Sequence, residues 1–458
     1  MFNREEDIEK IKSRKNSDAC FYVYFTLQFL LVVANMFFDP KMGALTMLMT
    51  FIFVPLIMCR ATVSGFGTSR SDNIMVYLFG FMGLFYLFEV LNPNNVQAAW
   101  NIAIAHYWVY PFAMALVVPL AIRNVKGIEV LLIIWAIFII LGAMKGYWQK
   151  THGFSMRERY FLYVLGGWRT HIIWSGIRYF SFFTDAANYG VHSALATSVF
   201  AISAIHIKKL HLKVLFAFAA LCGIYGMGIS GTRAAMAVPF AALAVYVVLS
   251  RNVKGIIIGA SVIAILFSFF YFTNIGNGNQ YIRKMRSAFR PDEDASYIVR
   301  VENRRHMKEL MATHIIGYGI GLSKGERFAP RELMPYPPDS WLVSVWVETG
   351  IVGLILYLAI HGVLFAWCSW LLLFKIRDKQ LRGLLIAWIS MAAGFFLSAY
   401  VNDVMQYPNS IPVYTSFALC LAGPYIDKAI AKEKEEKEGS TIAPEETKPK
   451  YTRYYKNI

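Results

Sequence analysis

Apolar stretches of about 17–25 residues recur from Ala19 to Ile426, each bounded by a short polar or charged run. A bilayer core of roughly 30 Å takes about 20 residues of helix, so each stretch is long enough to cross one. Taken in turn they predict about twelve helices, near residues 19–38, 42–59, 74–91, 99–122, 127–143, 187–206, 212–229, 234–250, 254–273, 341–374, 382–400 and 409–426. An even number puts both termini on one side. The connections after alternate helices hold Arg60 and Arg70, Arg123 and Lys126, Lys208, Lys209 and Lys213, Arg251 and Lys254, then Lys375, Arg377, Lys379 and Arg382. Cations beside helix ends mark the cytoplasmic face, so both termini are expected there. The predicted fold class is an all-α polytopic membrane protein with about 12 transmembrane helices and a large, partly helical extracytoplasmic loop.

Residues 1–18 read as a cytoplasmic segment. MFNREEDIEKIKSRKNSD is too long and too acidic for the n-region of a signal peptide, and no small-residue cleavage site follows the first apolar run. Residues 19–426 then form one transmembrane domain. From Asp427 the chain is charged, contains Pro in EKEEKEGSTIAPEETKPK and has no apolar period, so residues 427–458 are expected to be a disordered cytoplasmic tail.

Composition agrees with the pattern. A chain of 458 residues that is 57% hydrophobic and only 16% charged has too little polar surface for a soluble globule. The net charge of +16 would suggest nucleic acid in a soluble protein. Here much of it sits in short loops and reports topology, so no nucleic-acid partner is expected. Cys20, Cys59, Cys222, Cys368 and Cys420 all lie in or beside apolar stretches, which suits packing rather than a metal site or a disulfide framework.

Two extracytoplasmic segments remain, 144–186 and 274–340, and both are rich in arginine against the positive-inside bias. In the second, Arg283, Lys284, Arg286, Arg290, Arg300, Arg304, Arg305, Lys308, Lys324, Arg327 and Arg331 outnumber the acids. A solvated basic surface is one reading, because a long loop is translocated despite its charges. The other is an anion site: a guanidinium grips phosphate at two points, and beside a membrane the phosphate carrier is a lipid.

Four short patterns bear on the choice. RYFSFFTDAANYG places Arg178 shortly before the sixth helix, followed by aromatic residues, Asn188 and Gly190. ISGTRAAMAVPF places Arg233 at the mouth between the seventh and eighth helices, where a cation could also simply snorkel to headgroups. From Arg300, RVENRRHMKELMATHIIGYGIG alternates at helical spacing and ends in Gly317, Gly319 and Gly321, which permit a tight backbone turn. Those glycines are no dinucleotide fingerprint, because they follow a helix rather than open one. Last, PPDSWLVSVWVETGIVGL joins the loop to the tenth helix through Asp339 and Ser340, with Glu348 just inside. Asp339 reads either as the N-cap of that helix or as a base near a desolvated boundary.

In this order the patterns resemble the O-antigen ligase and O-antigen polymerase superfamily of bacterial envelope glycosyltransferases, over roughly Arg178 to Leu354. The resemblance rests on Arg178 with its aromatic, Asn and Gly followers, Ser230 to Arg233, Arg300 with Gly317 and Gly319, and Glu348, Thr349, Gly350, Ile351, Gly353 and Leu354. It implies a GT-C-like arrangement and transfer of a glycan from an undecaprenyl-pyrophosphate carrier to an acceptor hydroxyl at the outer face of the inner membrane. The family's pyrophosphate-binding arginines carry over to Arg178, Arg233 and Arg300, with Arg304 and Arg305 as neighbours. No cofactor and no metal are implied, although the acidic run Asp292, Glu293 and Asp294 could imitate the metal motif of other membrane glycosyltransferases. The implied partners are the lipid-linked donor, a glycan or lipid A-core acceptor, membrane lipids and a chain-length regulator.

The chain departs from the family at one place. Counting back from Glu348, the position usually held by histidine is Asp339, with Ser340 beside it. Aspartate can orient or deprotonate an acceptor hydroxyl as histidine would, and His306 and His314 are the substitutes within the loop. The missing histidine leans the reading towards a polymerase rather than a ligase. A transporter or flippase of lipid-linked oligosaccharides is the alternative, but it calls for charges within mid-membrane helices and an internal repeat, and the sequence shows neither.

Overall fold

The computed structural model describes residues 16–37, 42–65, 68–173, 176–251, 253–287, 289, 295–323, 328–336, 338, 340–404 and 407–441. Its long helices are α1 (Ala19–Phe37), α2 (Met42–Val63), α3 (Ile74–Phe88), α4 (Gln97–Ala121), α5 (Val125–His152), α6 (Ala186–His206), α7 (Leu210–Ser230), α8 (Ala237–Ser250) and α9 (Val253–Phe272). Two shorter helices, α10 (Gln280–Ser287) and α11 (Ala295–Leu310), lie in the loop before α12 (Trp341–Phe374), α13 (Lys379–Val401) and α14 (Ser410–Thr441). Strands are confined, among the described residues, to a hairpin of β1 (Ile172–Ile173) and β2 (Gly176–Ile177).

Among the described residues, nine helices are long and apolar enough to cross a membrane. The other three predicted spans are also helical, as α6, α9 and α14. The protein is therefore an all-α polytopic membrane protein. α6 falls outside the nine for a physical reason. It is buried on almost every side from Ala186 to Ser203, packed against α5, α7, α8 and α13. A helix surrounded by protein can hold Asn188, His192, Ser193, Thr197 and Ser198 if each finds a partner. Trp135 Nε1 donates to His192 Nε2 at 2.9 Å, which leaves Nδ1 to donate to Asn409 Oδ1 at 2.9 Å. Asn409 Nδ2 in turn donates to Asn188 Oδ1 at 2.9 Å. This chain of bonds fixes α5, α6 and α14 in mutual register.

One boundary differs from expectation. α14 continues past Asp427 through Thr441, where the sequence predicts the disordered tail to begin. Lys and Glu are good helix formers, and a solvated helix needs no apolar period. Its base is held by Asp427, whose Oδ1 accepts from the backbone N–H groups of Arg377 and Asp378, and by Lys434 Nζ at 3.1 Å from Asp378. Residues 442–458 lie outside the described residues.

The connections after α3, α5, α7, α9 and α13 all meet at one end of the bundle. There the loop from α11 is latched to α12, which is not continuous: Gly350 (φ 66°, ψ −172°) breaks the helix within the Glu348-Thr349-Gly350 motif. The break frees backbone groups that the glycine loop then uses. Tyr318 N donates to Val347 O and Gly319 N to Glu348 O, both at 2.9 Å, and Ile351 N donates to Ile315 O at 3.2 Å. Gly317, Gly319 and Gly321 all take positive φ, as the predicted tight turn requires, and a Cβ on Gly317 would sit 2.5 Å from Glu348 O, so the glycines serve close backbone docking as well. Glu348 itself is fully buried and accepts from Tyr107 Oη at 2.8 Å and from Ser323 Oγ. Asn92 adds bonds to Glu89 and to the Gly317 carbonyl, joining α3 to the same latch.

Candidate functional site

A cavity of about 500 Å³ opens at this end of the bundle, and Arg178, Arg233 and Arg300 all line it. Each arrives by a different route. Arg178 follows the β hairpin and is anchored by its backbone N–H, which donates to His171 O at 2.8 Å. Arg233 opens the turn Arg233–Met236, reached through Gly231, whose left-handed backbone ends α7. Arg300 lies on α11, half-buried like Arg304, at helical spacing from the buried Met307 and from Met311 in the turn that follows, the two methionines that seat this helix.

The described hydrogen bonds of the three arginines go to neutral acceptors. Arg178 donates from Nε to Ser230 O (3.2 Å), from Nη1 to Thr170 O (3.2 Å) and from Nη2 to Thr232 Oγ1 (3.0 Å). Thr232 Oγ1 itself donates to Ala186 O at 3.1 Å, and Ser230 Oγ accepts from Thr232 N at 3.2 Å. A Cβ on Gly190 would collide with Ser230 and Thr232, so the glycine keeps α6 close enough to support this turn. Arg233 Nη1 donates to Ser287 Oγ at 3.2 Å, and Arg300 Nη2 to Asn402 Oδ1 at 3.2 Å.

Electrostatically the cavity asks for an anion. Among the described residues its lining includes no acid. Burial pushes the Arg178 guanidinium below its ordinary value. Asp185 opposes that shift, and the repulsion of Arg300 and Arg233 adds to it. Three cations that converge where water is limited repel one another, and a multivalent anion between them relieves that repulsion. Much of the remaining lining is apolar, with Met236, Phe240, Phe289, Leu397 and Val401.

His171 supports the Arg178 side. Its Nε2 accepts from Ala186 N, the first residue of α6, at 3.2 Å, so Nδ1 is the nitrogen that donates to Gly167 O at 2.8 Å. Burial lowers its pKa and keeps the ring neutral, as this pattern requires.

Other residues singled out from the sequence are placed elsewhere. Arg304 lies over the Tyr400 ring at 4.4 Å and donates to Tyr400 O at 2.8 Å; it lines a narrow recess beside the main cavity with Arg300 and Ser340. Arg305 is on the exposed face of α11. Ser340, not Asp339, is the N-cap of α12: its Oγ accepts from Val343 N at 3.4 Å and donates to Ala399 O at 3.1 Å. Its hydroxyl is therefore committed to the fold, because the residue that follows directly begins the helix. Asp339 and the run Asp292 to Asp294 lie outside the described residues. His306 stacks on Tyr336 at 4.2 Å with Glu302 and Glu309 nearby, and His314 stacks on Tyr318 at 4.0 Å; neither lines the cavity. Conversely, Thr170, Thr232, Ser287 and Asn402 face the cavity without having been picked out. Only Thr232 carried a signal, as the residue inside Ser230-x-x-Arg233.

Residues 218–358 match the family model described as O-Antigen ligase. The match contains Arg233, Arg300 and the latch at Gly350, whereas Arg178 and Asn402 reach the cavity from outside it. No curated protein matches the chain.

Proposed function

We propose that this chain belongs to the O-antigen ligase and polymerase superfamily, which the match over residues 218–358 supports, and that its arginine-lined cavity holds the pyrophosphate of a polyprenyl-linked glycan. The protein then transfers that glycan to an acceptor hydroxyl at the outer face of the bacterial inner membrane, with both termini cytoplasmic. The observation that carries this reading is the meeting of Arg178, Arg233 and Arg300, from three separate connections, in one cavity whose remaining lining is largely apolar.

The chemistry follows from where charge develops. The acceptor oxygen bonds to the anomeric carbon as the bond from that carbon to the phosphate oxygen breaks, and the electron pair leaves with the pyrophosphate. Guanidinium groups already held by Ser230, Thr232, Ser287 and Asn402 meet that growing charge without reorganising. The acceptor proton passes to Asp339, which directly precedes Ser340 in the recess shared with Arg300. Aspartate in place of the family histidine favours a polymerase, whose acceptor is another lipid-linked glycan, over transfer to lipid A core.

Lysine tests the arginines without removing charge. Arg178→Lys, Arg233→Lys and Arg300→Lys each lose the planar fork and are expected to insert normally while transfer falls about a hundredfold, measured with defined lipid-linked donor in proteoliposomes. Near-normal transfer by all three would remove the proposed anion site.

A further inference from the structure

Asn402 ends α13 and is a neutral member of the cavity lining, 8% exposed, with its side chain against Arg300. Its amide cannot be turned either way. Arg300 Nη2 is a donor only, so the atom it meets at 3.2 Å must be Oδ1, and the two N–H donors of Nδ2 are the part of the side chain left for something else. The backbone of Asn402 is also engaged: its carbonyl accepts from Trp341 N at 3.1 Å, and its N–H donates to Ser398 O at 2.9 Å. Trp341 is the first residue of α12, directly after Ser340. One residue thus joins the Arg300 guanidinium, the start of α12 and the end of α13.

We propose that Asn402 is a substrate-recognition residue, donating from Nδ2 to an oxygen of the anion in the cavity while Arg300 holds the amide in that orientation. This rests on the anion-binding reading of the cavity. A primary amide suits the task because it adds two donors beside the guanidinium without adding a fourth positive charge to a cavity where Arg178, Arg233 and Arg300 already repel one another. It also provides a polar contact from α13, a helix that none of the three arginines occupies.

The proposal separates direct contact from support of Arg300. Full-length protein in nanodiscs would be titrated with inorganic pyrophosphate, comparing wild type, Asn402→Ala, Arg300→Ala and the double variant. A hydrogen bond to a charged ligand corresponds to roughly a tenfold change or more in affinity. Asn402→Ala is expected to weaken binding about tenfold in the wild-type background and several-fold further in the Arg300→Ala background, since part of its effect does not pass through Arg300. No added loss in the Arg300→Ala background would overturn the direct contact, and so would unchanged binding by Asn402→Ala alone. Should Asn402→Ala fail to insert, Asn402→Asp keeps an acceptor for Arg300 but replaces both donors. It is expected to lose pyrophosphate binding while retaining the wild-type melting temperature, and wild-type binding by it overturns the proposal. Absence of pyrophosphate binding by the wild type itself would sink the anion-site reading and this one together.

Discussion

Replacing Gly350 with Ala is expected to open the latch that holds the Arg300 loop on α12. Gly350 has φ 66° and ψ −172°, a region open to essentially glycine alone, and occupying it with Ala costs about 1–3 kcal/mol. The new Cβ would lie within bonding range of Ile315 O and cannot stay there, so the loop backbone must withdraw. Withdrawal breaks the bonds from Tyr318 N to Val347 O, Gly319 N to Glu348 O and Ile351 N to Ile315 O. At about 0.5–1.5 kcal/mol each, these add roughly 1.5–4.5 kcal/mol. The total is on the order of 5 kcal/mol, or a few thousandfold more of the open form. Ile320 is fully buried in the latched state, which makes it the reporter. In a Cys-free background, Ile320→Cys should resist maleimide, and adding Gly350→Ala should make it label readily and lower the melting temperature. Gly362 is the control: it lies in the same helix, and a Cβ there meets nothing within 4 Å. Gly362→Ala should leave labelling unchanged and either leave stability as it is or raise it by up to about 1 kcal/mol. If the thiol of Ile320→Cys stays protected when Gly350→Ala is added, and the melting temperature matches the parent, the backbone latch is not what holds the loop.

Thr232→Val removes the acceptor of Arg178 Nη2 and the donor to Ala186 O at nearly constant volume, so transfer should fall about tenfold, with recovery in Thr232→Ser; equal activity in both would free Arg178 of this support. Glu158 is buried against Lys145 at 2.8 Å; burial alone would raise its carboxyl, but Lys145, the Ser155 N–H and Gln149 outweigh it and hold the pKa below 4.5. A depressed folded pKa contributes stability above the unfolded value and loses it as pH falls through the folded one, so the melting temperature should drop on acidification below about pH 4.5. Glu158→Gln should cost about 3 kcal/mol of stability at pH 7 and flatten that acid slope; an unchanged slope would exclude this carboxylate as its source. Cysteines placed at the exposed Glu309 and Lys379 should be labelled from outside and spared, respectively; the reverse pattern refutes the orientation proposed here.

Much of this architecture can be read from hydropathy, because a bilayer imposes one length and one polarity on every helix that faces lipid. α6 shows where that signal stops. Its surroundings are protein, so its sequence obeys the rules of a buried core, in which His192 and Asn188 are tolerated once Trp135 and Asn409 satisfy them. The register of α11 is legible in the sequence: Met307 and Met311 lie seven and eleven residues after Arg300, so the face that packs inward takes Arg300 and Arg304, both half-buried, and turns Arg305 outward. Asn402 carried no such mark. It enters the site through the packing of α13 beside α12, a long-range contact that no local spacing encodes.

The Glu348-Thr349-Gly350 motif carries the clearest lesson about chemistry and position. Glu348, an acid inside α12, serves structure: it accepts from Tyr107 and Ser323, its carbonyl accepts from Gly319, and its side chain is wholly buried. Gly350 explains why these residues occur together. By breaking α12 it frees Val347 O and Glu348 O from the helix ladder, and those carbonyls are what the glycine loop needs. The loop follows the end of α11, which carries Arg300, while the helix piece before the break is capped by Ser340. Fixing one to the other sets the spacing between Arg300 and Ser340, which line the same recess. The motif therefore acts on the cavity through geometry, and Glu348→Gln should behave like Gly350→Ala in the Ile320→Cys labelling assay, because both loosen the same latch.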